Sequence, residues 1–285
     1  MKKNIQEYLT YLSPEFIYIP YDKVENLRIK KNKIVFNNMF MGKKDDEHDI
    51  YSPVSGYVMG IKEIELLSGP SNSLVIENDF IDKRENLNTF TEISNIKKTD
   101  IKGLLFKYGL EKKTKGKTTL IVESTYNKHN DLGDMVINYE YYEEILEAID
   151  ELITIFNMKN AYIILDKNDL YSEAAFNKYI NAFHNICIIH NKKRFHDDKC
   201  AFYTIEDILA VYRAIHLDYM LDTTIVTINY GETIIVKVKL FTSLYELLKA
   251  LKVPYKGKEI TINNKIITNV ENFIINKEVK SIIIK

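Results

Sequence analysis

YEYYEEILEAIDELITIFNMKNAYIIL, residues Tyr139–Leu165, decides the fold. Tyr142, Ile145, Leu146, Ile149, Leu152, Ile153 and Phe156 recur at the 3.6-residue period, so Tyr139–Asn157 reads as an amphipathic helix with one buried stripe. Ala161–Leu165 then reads as a short buried strand. Working outward, Thr118–Val122 is a second buried-strand run and Asn185–Ile189 a third. Two more helices fit between and beyond them. Ser172–Phe183 takes Ser172 as its N-cap. Thr204–His216 takes Thr204, with Ile205, Ile208, Leu209, Tyr212 and Ile215 on one stripe. Strands alternating with helices imply an α/β layer on a largely parallel sheet, a Rossmann-like arrangement spanning residues 89–220.

The flanks have different periods. Residues 1–88 read as a β domain, a small barrel or sandwich. Short apolar pieces at Phe16–Ile19, Lys33–Phe36, Gly56–Ile61 and Ser73–Ile76 are separated by turn chemistry at Ser52–Gly56 and a break at Gly69-Pro70. Residues 221–285 open on a hairpin, with Thr223–Ile228 and Thr233–Leu240 flanking Asn229–Glu232. Thr242 or Ser243 caps a short helix carrying Leu244, Leu247, Leu248 and Leu251. Strands follow at Glu259–Ile262, Lys265–Thr268 and Lys280–Ile284. Two strands, a helix, then more strands is the β-grasp order.

Composition excludes several classes. Lysine and arginine number 39 against 40 acidic residues, so the surface offers no electrostatic case for nucleic acid or anionic lipid. The run Lys112–Lys117 reads as a solvated loop. Two cysteines are too few for a secreted disulfide scaffold, which favours a reducing cytoplasm. Met1–Tyr11 lacks the apolar core of a signal peptide. Ser281–Ile284 and Ala161–Leu165 are far too short to span a bilayer.

Chemistry-bearing patterns are sparse. The ten glycines make neither Gly-x-Gly-x-x-Gly nor a Walker loop, so no strand-to-helix turn is left bare enough for backbone amides to close on a phosphate. Cys187, His190, His196 and Cys200 place four zinc-type ligands in fourteen residues, a minor alternative to no metal. Positions three apart on a strand face opposite ways, which argues against it. His129-Asn130-Asp131 near Glu123, and Asp45–Asp49, read as solvated loops. No serine or cysteine sits in a nucleophile elbow.

The order of the pieces resembles the RnfC protein of the Rnf electron-transport complex, whose middle and C-terminal layout is shared by the flavoprotein of respiratory complex I. Tyr51-Ser52-Pro53-Val54-Ser55-Gly56-Tyr57-Val58 is similar to that family's Ser-Pro-x-Ser-Gly-x-Val segment in a lipoyl-like domain. Leu74–Asp79 resembles its strand ending in Ile-Glu-x-Asp. Thr223–Ile228 with Leu244–Leu251 resembles its soluble-ligand-binding β-grasp (SLBB) domain.

The resemblance implies an FMN site, and the sequence departs from it. The family's Gly-x-Gly-Gly-Ala-Gly-Phe-Pro loop is matched by Ile101–Gly109, where Gly103 and Phe106 remain. The Asn-x-x-Glu-Cys-Glu-Pro segment is matched by Leu120–Tyr126, where Glu123 remains and Ser124 follows. The Cys-x-x-Cys-x-x-Cys runs have no counterpart. The expectation is a cytoplasmic, redox-inactive relative without a cofactor, leaning away from an enzyme. It would be a structural, docking or ligand-binding component whose partner is a protein or a small molecule. Peripheral association with a membrane complex fits that role. The alternative keeps FMN and NADH chemistry in an altered pocket at Gly103, Glu123 and Ser124. A third reading is a sensor whose β-grasp domain binds a small solute.

Overall fold

A computed structural model describes residues 8–21, 24–25, 29–44, 48–84, 98–110, 114, 116–124, 132–190, 195 and 198–285. Through residue 78 these form β1 (Leu9–Tyr11), β2 (Phe16–Pro20), β3 (Val24–Glu25), β4 (Ile34–Val35), β5 (Phe40–Lys44), β6 (His48–Tyr51), β7 (Gly56–Leu66) and β8 (Gly69–Asn78). Next come α1 (Lys98–Lys107), β9 (Thr119–Glu123), α2 (Gly133–Glu140), α3 (Tyr142–Phe156), β10 (Asn160–Ile164), α4 (Leu170–Phe176), β11 (Ile186–Ile189), β12 (Cys200–Thr204) and α5 (Ile205–Leu217). The chain continues with β13 (Thr223–Asn229), β14 (Thr233–Lys239), β15 (Thr242–Ser243), α6 (Leu244–Ala250), β16 (Ile260–Ile262), β17 (Lys265–Ile267), β18 (Ile274–Ile275) and β19 (Ser281–Ile284). The fold is mixed α/β, with several sheets and six helices among the described residues. None of those helices is long and apolar enough to cross a membrane.

The chain divides into two compact units, residues 88–221 and residues 7–87 with 222–285. The 88–221 unit is built on a four-stranded parallel sheet, ordered β11-β10-β9-β12. Its strands bury Leu120, Ile121, Val122, Ala161 and Ile163 completely, as expected for parallel strands covered on both faces. The apolar stripe of α3 forms as expected, with Ile145, Leu146, Ile149 and Leu152 all at 0% exposure. Its start is later than the periodicity implies. Tyr141 leaves the helical region (φ −120°, ψ 27°) and separates α3 from α2. The α5 boundary matches the sequence reading, because Thr204 and Asp207 make a reciprocal capping box. At α4 the N-cap is Asp169, whose carboxylate accepts from the Ser172 amide; Ser172 lies one turn inside.

The second unit threads distant parts of the chain into shared sheets. One runs β1-β14-β13-β19-β16-β17, with β13 and β14 a hairpin and β19 inserted parallel to β13 between that hairpin and β16. Helix α6 covers it through Leu244, Leu247 and Leu248, packed with Val226, Val236, Ile260 and Ile282. Another sheet runs β18-β15-β2-β8-β7-β4, so β15, from beyond residue 240, pairs onto β2 and β18 pairs onto β15 in turn. Its core is Ile17, Ile19, Val35, Val58, Leu74 and Ile76. Gly69-Pro70 is not the break expected. The turn is at residues 67–68 and Pro70 pairs with Glu65. This is tolerated because β2 reaches along β8 only to Ser73, so no ladder bond is asked of the missing amide.

Candidate functional site

In the parallel sheet, β9 is central, β10 and β11 follow on one side, and β12 lies on the other. Strand order therefore reverses at β9, and open α/β sheets bind ligands beyond the carboxyl ends of strands at such a point. Two of the three sequence-predicted site residues lie there. Glu123 ends β9 in register with Ile164 and Thr204, and Ser124 follows it, buried, its amide bonded to the Ile164 carbonyl at 3.1 Å.

Ser124 belongs to a buried polar hub that sequence reasoning missed. The Asn138 side-chain amide, on α2, donates to Ser124 Oγ at 3.0 Å and to Ser172 Oγ at 3.0 Å. Asp169 Oδ1 accepts from the Ser172 amide at 3.0 Å. Asn138 Oδ1 and Asp169 Oδ2 are then both buried without a partner. Burial pushes the Asp169 carboxyl above the usual range, against the lowering effect of its bonds from Ser172; the charges of Asp166 and Asp134 add to the rise. The two acceptors beside Ser172 call for a donor, such as the Ser172 hydroxyl, a water or a proton retained on Asp169. The local signal for the hub was an asparagine among the buried residues of α2.

Gly103, the third predicted residue, is placed differently. It lies inside α1, which packs on α5 and α3. A side chain built at Gly103 would meet nothing within 4 Å, so no other element closes on it there. The fit to a flavin phosphate is poor on two counts. Amides in the middle of a helix are committed to intrahelical bonds, and Asp100 puts a carboxylate in the first turn of α1, where a phosphate would need positive potential. Phe106, the other remnant of the loop, is also in α1 and is 49% exposed.

The four zinc-type residues do not converge. Cys187 is exposed on β11 and Cys200 is buried at the start of β12, on opposite edges of the sheet. Three strand spacings, about 14 Å, separate those edges, beyond any shared ion. His190 Nε2 lies 3.3 Å from Glu173 Oε1. His196 falls outside the described residues. No cluster of three or more metal-type side chains occurs among the described residues. His129–Asp131 and residues 45–47 also lie outside them, as do Lys112, Lys113 and Lys115 of the Lys112–Lys117 run. Asp49 accepts from the Tyr51 hydroxyl at 3.0 Å.

The two segments that carried the family resemblance meet each other. Ser55 Oγ donates to Asp79 Oδ1 at 2.6 Å and accepts from the Lys83 amide at 3.0 Å. Ser52 Oγ donates to the Val54 carbonyl at 2.7 Å. Gly56 lies so close to β8 that an added Cβ would stand 1.9 Å from the Glu77 carbonyl oxygen. Asn78 donates to the Pro14 carbonyl and accepts from the Phe80 amide. These residues lock strand ends together, a structural use of the motif.

No protein-family model matches the chain, and no curated protein matches it. Among solved structures, NAD+-reducing [NiFe]-hydrogenase in its H2-reduced and air-oxidised states is similar over 59% of this chain and 40% of that chain. Identity is 9% and the TM-score is 0.44 in both cases. This chain thus spans less than half the length of the hydrogenase chain it matches. At that score the likeness assigns neither fold nor activity.

Proposed function

We propose that this chain is a non-catalytic relative of the RnfC group, a structural or docking component that holds a protein partner in an electron-transfer assembly, peripheral to a membrane or free of one. The observation that carries the reading is α1. Of the stretch matched to the family's FMN loop, Ile101–Gly109, residues 101–107 lie in α1, which carries Asp100 in its first turn. Beyond the first turn its backbone amides are committed to the helix, and Asp100 sets a carboxylate in that first turn, so a phosphate has no cradle.

Two further features support the family part of the reading. The order hairpin, helix, second hairpin, then a last strand parallel to the first is that of a β-grasp fold, as in an SLBB domain. The Ser55–Asp79 bond joins the segments similar to the lipoyl-like motif. The test is an absorbance spectrum of protein purified under anaerobic conditions. A colourless preparation is expected, and flavin bands near one per chain would overturn the proposal.

The second reading, an FMN- or NADH-linked electron-transfer protein with an altered pocket around Gly103, Glu123 and Ser124, is favoured by the partnerless oxygens of Asn138 and Asp169 at the end of β9. It predicts retained flavin and NADH-dependent dye reduction, and loses its ground if both are missing.

A further inference from the structure

A cavity of about 410 Å³ opens in the second unit beside β2, β7 and α6. Its volume falls in the lower part of the usual range for small-molecule sites. Three carboxylates line it, Glu15, Glu246 and Glu271, together with two ammonium groups, Lys62 and Lys249. These opposite charges face one space, yet neither lysine closes into an ion pair with any of the three acids. Instead each ammonium rides on an aromatic ring. Lys62 Nζ is 5.2 Å from the centre of Tyr18, and Lys249 Nζ is 5.9 Å from the centre of Tyr245. Tyr245 is fixed edge-on against Tyr255, with centroids 6.3 Å apart.

Glu246 is the least solvated of the acids. Its Oε1 accepts from the Tyr11 hydroxyl at 2.8 Å and the Glu15 amide at 2.5 Å, which fixes the carboxylate in place. Burial pushes its carboxyl above the ordinary range, against the lowering effect of the bonds it accepts from Glu15, Tyr11 and Phe16. A held, half-buried carboxylate, two lysines that make no ion pair with the acids, and tyrosine rings lining the same space are complementary to a molecule carrying both charges and an apolar body.

We propose that this cavity binds a zwitterionic small molecule of the α-amino-acid class with an aromatic side chain. Its ammonium faces Glu246 and Glu271, its carboxylate faces Lys62 and Lys249, and its ring packs against Tyr18 and Tyr245. Each charged end alone would leave the opposite set of protein charges unmatched, so the free amino acid should bind better than a derivative missing either charge. The site is independent of the flavin question, since a colourless protein and a yellow one leave it equally testable.

The experiment is thermal melting and calorimetric titration of the full chain with L-phenylalanine, L-tyrosine and L-tryptophan. Phenylalanine methyl ester and N-acetylphenylalanine serve as single-charge controls. At least one free amino acid should raise the melting temperature in a saturable way, as a ligand of the folded form does. The ester and the N-acetyl derivative should bind at least about tenfold more weakly. Lys62→Met, Lys249→Met and Glu271→Gln alter exposed side chains, so the unliganded melting temperature should hold while affinity falls by a similar factor. No saturable binding by any of the three up to roughly 10 mM, equal binding of the ester, or unchanged affinity in all three variants would each overturn the proposal.

Discussion

Replacing Gly56 with alanine should remove much of the stability of the unit formed by residues 7–87 and 222–285. Gly56 opens β7 and pairs with Asn78 on one side and Val35 on the other. A Cβ at this position would lie 1.9 Å from the Glu77 carbonyl oxygen and 2.9 Å from its carbon, where real Cβ atoms keep at least 3.0 Å. The obstacle is backbone, which cannot swing aside as a long side chain would. The first rung of the β7–β8 ladder must therefore open by more than an ångström. That displacement strains the Ser55–Asp79 bond of 2.6 Å and the Asn78 amide bond to the Glu15 carbonyl of 2.9 Å. Losing two hydrogen bonds, at about 1 kcal/mol each, adds to about 2 kcal/mol of overpacking, for about 4 kcal/mol in all. For a unit of this size that lowers the melting temperature by about 8–16 °C. The assay is thermal melting followed by tyrosine fluorescence and far-ultraviolet dichroism, with Gly60→Ala as the comparison. Gly60 has φ +142° but its nearest neighbour for a new Cβ is Lys31 Cδ at 4.0 Å, so only backbone strain of about 1 kcal/mol is expected there. If Gly56→Ala melts with the wild type, or Gly60→Ala loses more, the close-approach reasoning is wrong.

Gly103→Ala should stabilise the protein by about 0.5–1 kcal/mol, because it removes a glycine from a helix interior with open space around it. A measured loss of stability would argue against the helical reading of α1. The wild type should lose stability as pH rises from about 4.3 through the elevated folded-state value of Glu246, since the folded form holds that proton longer than the unfolded chain does. Glu246→Gln keeps an acceptor for Tyr11 and the Glu15 amide, so it should flatten this part of the stability profile. Identical profiles in urea titrations across that range would refute the assignment to Glu246.

What the sequence revealed was local. The apolar stripe of α3 and the Thr204 N-cap of α5 depend on residues within a turn or two, and both are present. The exchange of Ser172 for Asp169 as N-cap is a local error of another kind. Both residues have capping side chains, and the choice between them rests on which backbone leaves the helical region. The hub of Ser124, Asn138 and Ser172 was invisible because its members come from three separate elements brought together by strand order. Strand order likewise decides against the Cys187–Cys200 grouping: only fourteen residues span the four candidates, yet β11 and β12 emerge on opposite edges. The strands β15 and β18 have two residues each and exist only through partners elsewhere in the sheet, so no periodicity marks them.

The weave of the second unit has a consequence for how the protein is made. Leu9–Tyr11 pairs with Val236–Val238, and Ile17 with Thr242, so β1 and the edge of β2 turned away from β8 have no strand partner until residues 236–242 have been synthesised. The 88–221 unit has its partners nearer in sequence and can be complete before then, an insertion finished inside an unfinished host. During that interval Ile17, Ile19, Leu74 and Ile76 belong to strands whose sheet lacks its late members, an aggregation hazard of the kind chaperones attend. The time taken to translate residues 88–221 therefore sets how long that edge of the sheet stays open.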